Sequence, residues 1–381
     1  MIRFLTAGES HGPSLTIIVE GLPSNLPISI DFIQAELQRR RLGYGRGPRM
    51  RFEVDEIQIT GGVRHGVTIG APVSITIVNT EWNRNPDKWQ EEMSVLPGES
   101  KNKLTTPRPG HADLAGMQKY RIDDSRTILE RASARETAAR VVAGSLAKTL
   151  LSQFDIRVLS HVLQIGSGAV AKNDRLPTFD DLSAIDESQV RCFYPEAEES
   201  MIGAIKTAAK NGDSLGGIIE VLAYGVPVGL GSHVHWDRKI DGMIGHALMS
   251  IQAIKAVSLG DAISVSSKHG SESHDAIYWE NNTYTRHTNH AGGIEGGITN
   301  GGIVRAQMFM KPLATLNRPV IETVDTKTKE KVVSFKERTD VTAVPAAGVV
   351  GETMLSIVLA QELQRKFGGD SIEEMLENYN R

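Results

Sequence analysis

The chain has few cysteines and aromatic residues, and it carries no excess of positive charge. Its single cysteine, Cys192, cannot form a disulfide within the chain, which favours a reducing, cytoplasmic location. Aromatic residues make up 5% of the sequence and the net charge is −4. A nucleic-acid-binding surface needs basic groups and stacking rings, so that class is disfavoured. Neither cysteine pairs nor a His-x-x-x-His pattern occurs, and a zinc site therefore has no support.

Long apolar runs and nucleotide-binding loops are also missing. The first eleven residues contain no apolar stretch of signal-peptide length, and we expect no window to approach the length and apolarity of a transmembrane span. No G-x-G-x-x-G motif follows a strand, and no loop ends in Gly-Lys-Ser/Thr, which disfavours Rossmann and P-loop proteins. The 40% hydrophobic content is ordinary for a globular protein and is enough for a large core.

Strand-like and helix-like segments occur in groups along the chain. Residues 14–21 and 52–79 alternate as antiparallel strands do, and groups of strands separated by helices favour an α+β fold. Residues 80–110 are polar and predict a long ordered loop with Trp82 and Trp89 as bulky anchors. The main predicted helices cover residues 31–41, 133–154, 195–211, 237–259 and 348–367.

Residues 130–140 (ERASARETAAR) are the most informative segment. Ser133 followed by Glu136 fits a capping box, which predicts that a helix begins at Ser133. A helix start offers free N–H groups, and Arg131 and Arg135 add positive charge suited to a multiply charged anion. The alternative is a surface helix with solvated arginines.

Two turns place a histidine beside glycine. Residues 8–12 (GESHG) contain His11, and residues 108–113 (RPGHAD) contain His111 next to Arg108. A histidine in such a turn can act as an acid or base near neutral pH. Each histidine could instead only hydrogen-bond its own turn, but two such turns in one chain favour an active site.

Four further segments have residues typical of a ligand-binding site. Residues 39–51 hold six arginines and three glycines, which indicates a loop that folds over an anionic small molecule. Residues 289–302 contain six glycines, which let backbone groups approach a flat ring or a phosphate. Residues 311–315 offer an ammonium and a hydroxyl suited to a cofactor phosphate or ribityl chain. Asp340 follows Arg338 and could handle a proton beside a ligand. The alternatives are a solvated basic face, a surface loop and a structural ion pair.

These motifs resemble the chorismate synthase family. The resemblance rests on residues 8–12, 108–113, 130–140 and 338–347 (RTDVTAVPAA), and it extends in order over about residues 1–367. Arg-Ala-Ser stands where some members have Arg-Ser-Ser, which is a mild departure. The resemblance implies one domain over 1–381, folded as a β-α-β sandwich with helices between antiparallel sheets, and a homotetramer.

The resemblance also implies the chemistry. The family converts 5-enolpyruvylshikimate 3-phosphate to chorismate and phosphate by an anti 1,4-elimination, and it requires reduced FMN although no net redox change occurs. Some members reduce the flavin with NADPH and others need an external flavin reductase, and no motif distinguishes the two. A non-catalytic flavin- or phosphate-binding protein would be expected to lack one of three residues that are all present here, His11, His111 or Asp340.

The roles of individual residues are implied by the same resemblance. His11 would act on the leaving phosphate, His111 on the N1 and O2 edge of the flavin, and Asp340 would accept the flavin N5 proton. The substrate contacts would be Ser10, Arg40, Arg46, Arg49, Arg108, Ser133, Arg135 and Arg338. The FMN contacts would be Arg131, Ala132, Ser133, Gln252, Ala253, Gly297, Lys311, Pro312, Leu313, Ala314, Thr315 and Arg338.

Overall fold

The computed structural model describes residues 1–47, 54–84, 86–98, 100–171, 175–335 and 339–381. Within these ranges the strands are β1 Arg3–Gly8, β2 Ser14–Glu20, β3 Ile57–Gly61, β4 Val63–Arg64, β5 Val67–Thr68, β6 Val73–Val78, β7 Arg157–Ile165, β8 Gly168–Ala169, β9 Gly217–Tyr224, β10 Ile254–Leu259, β11 Tyr278–Glu280, β12 Thr283–Thr285, β13 Ile294–Glu295, β14 Ile298–Thr299, β15 Val304–Met310, β16 Glu322–Val324 and β17 Lys331–Val333. The helices are α1 Ile30–Arg41, α2 Thr80–Arg84, α3 Pro86–Glu92, α4 Asp113–Tyr120, α5 Ser125–Ala132, α6 Thr137–Ser152, α7 Leu182–Glu187, α8 Pro195–Asn211, α9 Ile240–Met249, α10 Ala262–Val265, α11 Gly270–Ser273, α12 Val344–Phe367 and α13 Ile372–Tyr379.

Two antiparallel sheets form the outer layers. The first has the order β1-β2-β6-β3, and Ile17 of β2 lies opposite Thr6 on one side and Ile75 on the other. The second has the order β10-β15-β9-β7-β8. Alternate residues of β2, beginning with Leu15 and Ile17, are buried, as expected of a strand with one face on a core.

Helices fill the space between the sheets. α6 packs on β1 and β2, α12 packs on β7 and β9, and α1 and α9 lie against α12. α6 and α12 cross closely, because a Cβ added at Gly144 would overlap the Cβ of Thr353. The predicted sandwich with helices between antiparallel sheets is confirmed.

α12 is the central helix of the core. Among the residues that the structure describes, it is the one helix long and apolar enough to cross a membrane, and 94% of that stretch is buried inside the protein. The expectation that no segment reaches such length and apolarity is therefore wrong. The apolar composition of α12 is explained by its place between two sheets, where all its faces are covered.

A buried group of ion pairs holds α12 to its neighbours. Glu352 accepts hydrogen bonds from Arg39 on α1 at 2.7 and 3.0 Å, from Lys148 on α6 at 2.6 Å and from Arg191 at 3.3 Å. Glu36 accepts from Lys148 at 2.5 Å. Burial alone would raise the pKa of Glu352, but the three cations hold it well below its usual range. We call this group, completed by Asp186, the Glu352 network.

The start of the chain is fixed to the end of α12. The backbone N–H of Ile2 donates to the side chain of Gln364 at 2.9 Å, and the side chain of Gln361 donates to the carbonyl oxygen of Ile2 at 2.7 Å. The residue that precedes β1, the edge strand of the first sheet, is thus hydrogen-bonded to α12.

Three local predictions from the sequence are wrong in detail. Residues 80–110 are not one loop, because α2 and α3 form within them. Residues 237–259 are not one helix, because α9 ends at Met249 and β10 begins at Ile254. The helix predicted from Ser133 begins at Thr137, after a 3-10 turn over Ala134–Glu136.

Candidate active site

The His11 turn joins β1 to β2 and is held by the end of α5. Gly8 has a φ of +98°, and a Cβ there would overlap the carbonyl oxygen of Ser14, so glycine is required. Ser10 donates its backbone N–H to the carbonyl oxygen of Glu130 at 3.0 Å. The Glu130 carboxylate accepts from the backbone N–H of His11 at 2.8 Å and lies 2.8 Å from the ring Nδ1.

The segment after α5 brings a second hydroxyl to this turn. Ser133 Oγ donates to Ser10 Oγ at 3.2 Å and accepts from the backbone N–H of Arg135 at 3.2 Å. Ser133 therefore caps the 3-10 turn, and it does not form the capping box with Glu136 that the sequence predicts. Ser133 and Ser10 lie together, as the predicted substrate site requires.

Arg135 is buried and is not a solvated residue at a helix start. Its guanidinium pairs with Asp55 and donates to the side-chain oxygen of Asn79 at 3.0 and 2.9 Å. Arg40 Nη2 lies 3.7 Å from the same Asp55 carboxylate. Burial would raise the pKa of Asp55, but Arg40 and Arg135 lower it. Asn79 donates to the carbonyl oxygen of Gly12 at 2.7 Å, which links Arg135 directly to the His11 turn and Arg40 to it through Asp55.

Arg46 and Asp340 form an ion pair. Arg46 Nη1 lies 3.2 Å from Asp340, which also accepts from the backbone N–H of Gly47 at 2.5 Å. The pair fixes the middle of residues 39–51 to the segment before α12, whereas residues 39–41 belong to α1. Arg49 and Arg338 lie outside the described residues.

The His111 turn is organised by Asp113. The fully buried Asp113 carboxylate accepts from Arg108 Nε at 2.9 Å and bonds the Nδ1 of His111. Burial would raise the pKa of Asp113, but these two partners hold it well below its usual range. Arg108 Nη1 also donates to Thr315 Oγ1 at 2.9 Å. The turn is thereby attached to residues 311–315.

Residues 311–315 connect the His111 turn to the segment after α9. The Lys311 ammonium donates to the carbonyl oxygen of Gly110, and its backbone N–H donates to the carbonyl oxygen of Ala253 at 3.0 Å. Ala314 lies beside Gly110, and the carbonyl oxygen of Leu313 accepts from Ser214 Oγ at 2.7 Å. Pro312 lies between them in sequence.

Thr6 and Glu136 extend this connection to α5. Arg131 donates to the carbonyl oxygen of Thr6 at 2.8 Å, and Thr6 Oγ1 donates to Glu136 at 2.9 Å. Gln252 donates to the same carboxylate at 3.1 Å. Burial would raise the pKa of Glu136, but Arg140 and these hydrogen bonds lower it. Ala132, the last residue of α5, is half-buried between Arg131 and Ser133.

The two histidine turns are connected by hydrogen bonds and, from Arg131 to Ser133 and from Gln252 to Ala253, by the backbone. We call this series the contact path; it comprises Ser10, Ser133, Arg131, Thr6, Glu136, Gln252, Ala253, Lys311 and Gly110.

Gly297 lies apart from the contact path. Its carbonyl oxygen accepts from the backbone N–H of Ile240 at the start of α9, whereas Gln252 follows the end of α9. A ten-residue helix is about 15 Å long. Within one chain, Gly297 and Gln252 are thus separated by the length of α9.

The sequence interpretation missed four residues that organise the site. Glu130 and Asp113 belong to motifs that were recognised, but no role was assigned to either carboxylate. Asp55 and Asn79 belong to no recognised motif, and each lies more than fifty residues from its partner Arg135. For Asp113, the spacing of two residues from His111 is a signal that could have been used.

The chain matches proteins of known identity over almost its entire length. The family model described as chorismate synthase matches residues 2–363. The chorismate synthases of Leifsonia xyli and Thermobifida fusca are each 50% identical to it, over 99% of this chain and over 94% and 97% of their own lengths. A crystal structure of chorismate synthase superposes with a TM-score of 0.79 at 40% identity, covering 100% of this chain and 96% of the other. This chain therefore belongs to the chorismate synthase family.

Proposed function

We propose that this chain eliminates phosphate from 5-enolpyruvylshikimate 3-phosphate with His11 beside the leaving phosphate and His111 beside a bound flavin. The family makes the chain a lyase that forms chorismate in the shikimate pathway. The contact path supports this assignment of residues, because it links the two histidine turns.

The substrate end of the site is the basic group around the His11 turn. The substrate has a phosphate and two carboxylates, and guanidinium groups bind such anions through paired hydrogen bonds. Arg135 is linked to the turn through Asn79 and Arg40 through Asp55, and Ser10 and Ser133 add hydroxyl groups. His11 would donate a proton to the departing phosphate, which leaves more readily once its charge is neutralised. Arg46, Arg49, Arg108 and Arg338 complete the proposed substrate set.

The proposed FMN site lies towards the other end of the contact path. The side-chain oxygen of Gln252 is buried and accepts no hydrogen bond within the described residues, so a donor on a ligand could satisfy it. Lys311 and Thr315 offer an ammonium and a hydroxyl beside His111, and Arg131 adds a guanidinium. The remaining proposed FMN contacts are Ala132, Ser133, Ala253, Gly297, Pro312, Leu313, Ala314 and Arg338.

Reduced FMN, when bound, would supply an electron-rich ring to an elimination without net redox change. His111 would hold a hydrogen bond to that ring through its Nε2, since its Nδ1 bonds Asp113. Asp340 would accept a proton at a carboxylate oxygen. The reductant would be NADPH or a separate flavin reductase.

A homotetramer in the cytoplasm is part of the same proposal. Gly297 is separated from Gln252 by the length of α9, and a neighbouring copy could bring its Gly297 to the FMN site. Light scattering after size-exclusion chromatography measures the assembly directly. A monomer that retains full activity would contradict this part of the proposal.

An anaerobic assay tests the chemistry. With chemically reduced FMN and the substrate, we expect phosphate and chorismate in equal amounts. His11→Ala and His111→Ala should each lower kcat by about 100- to 10,000-fold, the usual contribution of a general acid or base, and should still bind FMN. A variant with near wild-type kcat would show that the role assigned to its histidine is wrong. Comparing NADPH plus FMN in air with reduced FMN identifies the electron source.

A further inference from the structure

Two side chains around His11 have no assigned role, and both contact its imidazole. Glu130 lies at the end of α5 and is buried, with its carboxylate 1% exposed. Trp89 lies on α3 and is 3% exposed. Its ring stacks on the imidazole with centroids 3.9 Å apart and planes 14° from parallel.

Glu130 binds His11 at two points. One carboxylate oxygen lies 2.8 Å from Nδ1, and the other accepts the backbone N–H of His11 at 2.8 Å. The carbonyl oxygen of Glu130 also accepts the backbone N–H of Ser10 at 3.0 Å. Glu130 therefore fixes both the backbone of the turn and the side-chain torsion angles of His11.

An ionised carboxylate can only accept hydrogen bonds, so the nitrogen facing it must carry the proton. His11 is then protonated at Nδ1 in both its neutral and its charged form. Among the described residues Nε2 makes no hydrogen bond, and it is the atom left to exchange a proton with a ligand.

Trp89 limits the remaining freedom of the ring. It covers one face of the imidazole, and the guanidinium of Arg126 lies 5.8 Å from the Trp89 ring centroid. Arg126 Nη1 is also 3.9 Å from Glu130. The imidazole therefore cannot tilt towards α3 or turn its Nδ1 away from Glu130 without breaking packed contacts.

From this geometry we infer that Glu130 is the positioning residue of His11. It fixes the Nδ1–H tautomer and directs Nε2 into the substrate site, while Trp89 covers one face of the ring. The catalytic part of this inference rests on the proposed role of His11. The tautomer is a property of the protein without substrate. The assignment of the tautomer to Glu130 and the catalytic role of His11 can therefore fail separately.

The test combines ¹⁵N NMR of the imidazole with steady-state kinetics. In the wild-type protein the shifts of the His11 nitrogens should show a proton on Nδ1. In Glu130→Gln the amide can bond either nitrogen, so both tautomers should appear. With reduced FMN supplied, kcat should fall about 10- to 100-fold, which is part of what a general acid contributes. The KM for substrate should change less than threefold, because no substrate contact is removed.

Glu9→Gln is the matched control. Glu9 lies in the same turn, and its pKa is raised by burial and, to a smaller extent, by Glu130. This variant removes one negative charge near His11 without touching the ring, so its tautomer and kcat should equal those of the wild type. An equal loss of kcat in both variants would indicate a general charge effect and overturn the inference.

Three other results would also overturn it. A wild-type His11 protonated at Nε2 would refute the geometry, and this measurement holds even if Glu130→Gln fails to fold. An unchanged single tautomer in Glu130→Gln would show that Glu130 does not set it. Mixed tautomers with unchanged kcat would show that the orientation has no catalytic consequence. If His11→Ala itself retains kcat while the tautomer depends on Glu130, the proposed acid is wrong and the positioning contact is correct.

Discussion

Removal of the charge on Glu352 should destabilise the fold strongly. The side chain is fully buried and is the shared acceptor of Arg39, Lys148 and Arg191. Glu352→Gln keeps the volume but leaves three cations facing two anions, Glu36 and Asp186. Breaking a buried ion pair by removing one partner typically costs about 3–5 kcal/mol.

That free-energy cost can be converted to an expected change in melting temperature, Tm. With an unfolding entropy of about 2.1 cal/mol/K per residue, 381 residues give about 0.8 kcal/mol/K. We therefore expect Tm to fall by about 4–6 °C, measured by calorimetry at pH 7. The matched control is Glu322→Gln, which breaks a 2.6 Å pair with Lys331 that is mostly exposed. Exposed pairs contribute about 0–1 kcal/mol, so the control should shift Tm by about 1 °C or less. Equal shifts in the two variants would refute the reasoning from burial.

Three further changes test the packing and electrostatics. In a urea titration, Gly144→Ala should lower the free energy of unfolding by about 1–3 kcal/mol, because the new methyl group would overlap α12. In the same titration the control Gly203→Ala on α8, where the space is open, should be neutral or stabilising. Arg135→Ala should cost about 3 kcal/mol because, among the described residues, it leaves the buried Asp55 with the 3.7 Å contact to Arg40 and the more distant charge of Arg41. Adding Asp55→Asn should restore part of that cost. The pKa of Glu220 is lowered from 4.5 to about 2, because hydrogen bonds and charges from His161 and Arg305 outweigh the effect of burial. The contribution of Glu220 to stability is therefore present above pH 4.5 and is lost as the pH falls towards 2. Melting curves should show Tm falling below pH 4.5, and a rise between pH 5 and pH 3 would contradict this.

The sequence predicted the two histidine turns correctly but placed several of the helices around them wrongly. The two histidine turns are recognisable because glycine and histidine adjoin within five or six residues. The helix start at Ser133 was misplaced because the capping-box pattern is local, whereas Ser133 has an extended ψ of 143° and bonds Ser10, more than 120 residues away. No local pattern could have supplied that partner.

Long-range pairing also explains the other differences between the predicted and the observed elements. The helical periodicity of residues 237–259 continues past Met249, but the chain reverses at Ala253, whose φ is +67°. Alanine gives no signal for that conformation. β10 then forms because it pairs with β15, some fifty residues later. The carboxylate of Glu130 was overlooked for the same reason, since its partner His11 is 119 residues away.

The place of α12 in the chain has a consequence for biosynthesis. Residues 3–78 supply the whole first sheet, but the helix that covers the core and fixes Ile2 ends only at residue 367. At a synthesis rate of about 5–20 residues per second, roughly 15–60 s separate the two. During that interval the first sheet lacks the contact of Ile2 with α12, and the face of the second sheet that packs on α12 stays uncovered once its strands are made, so the native core can form only after synthesis is nearly complete. A chain truncated before α12 should therefore aggregate, and chaperones that bind apolar segments should increase the yield of the full-length protein.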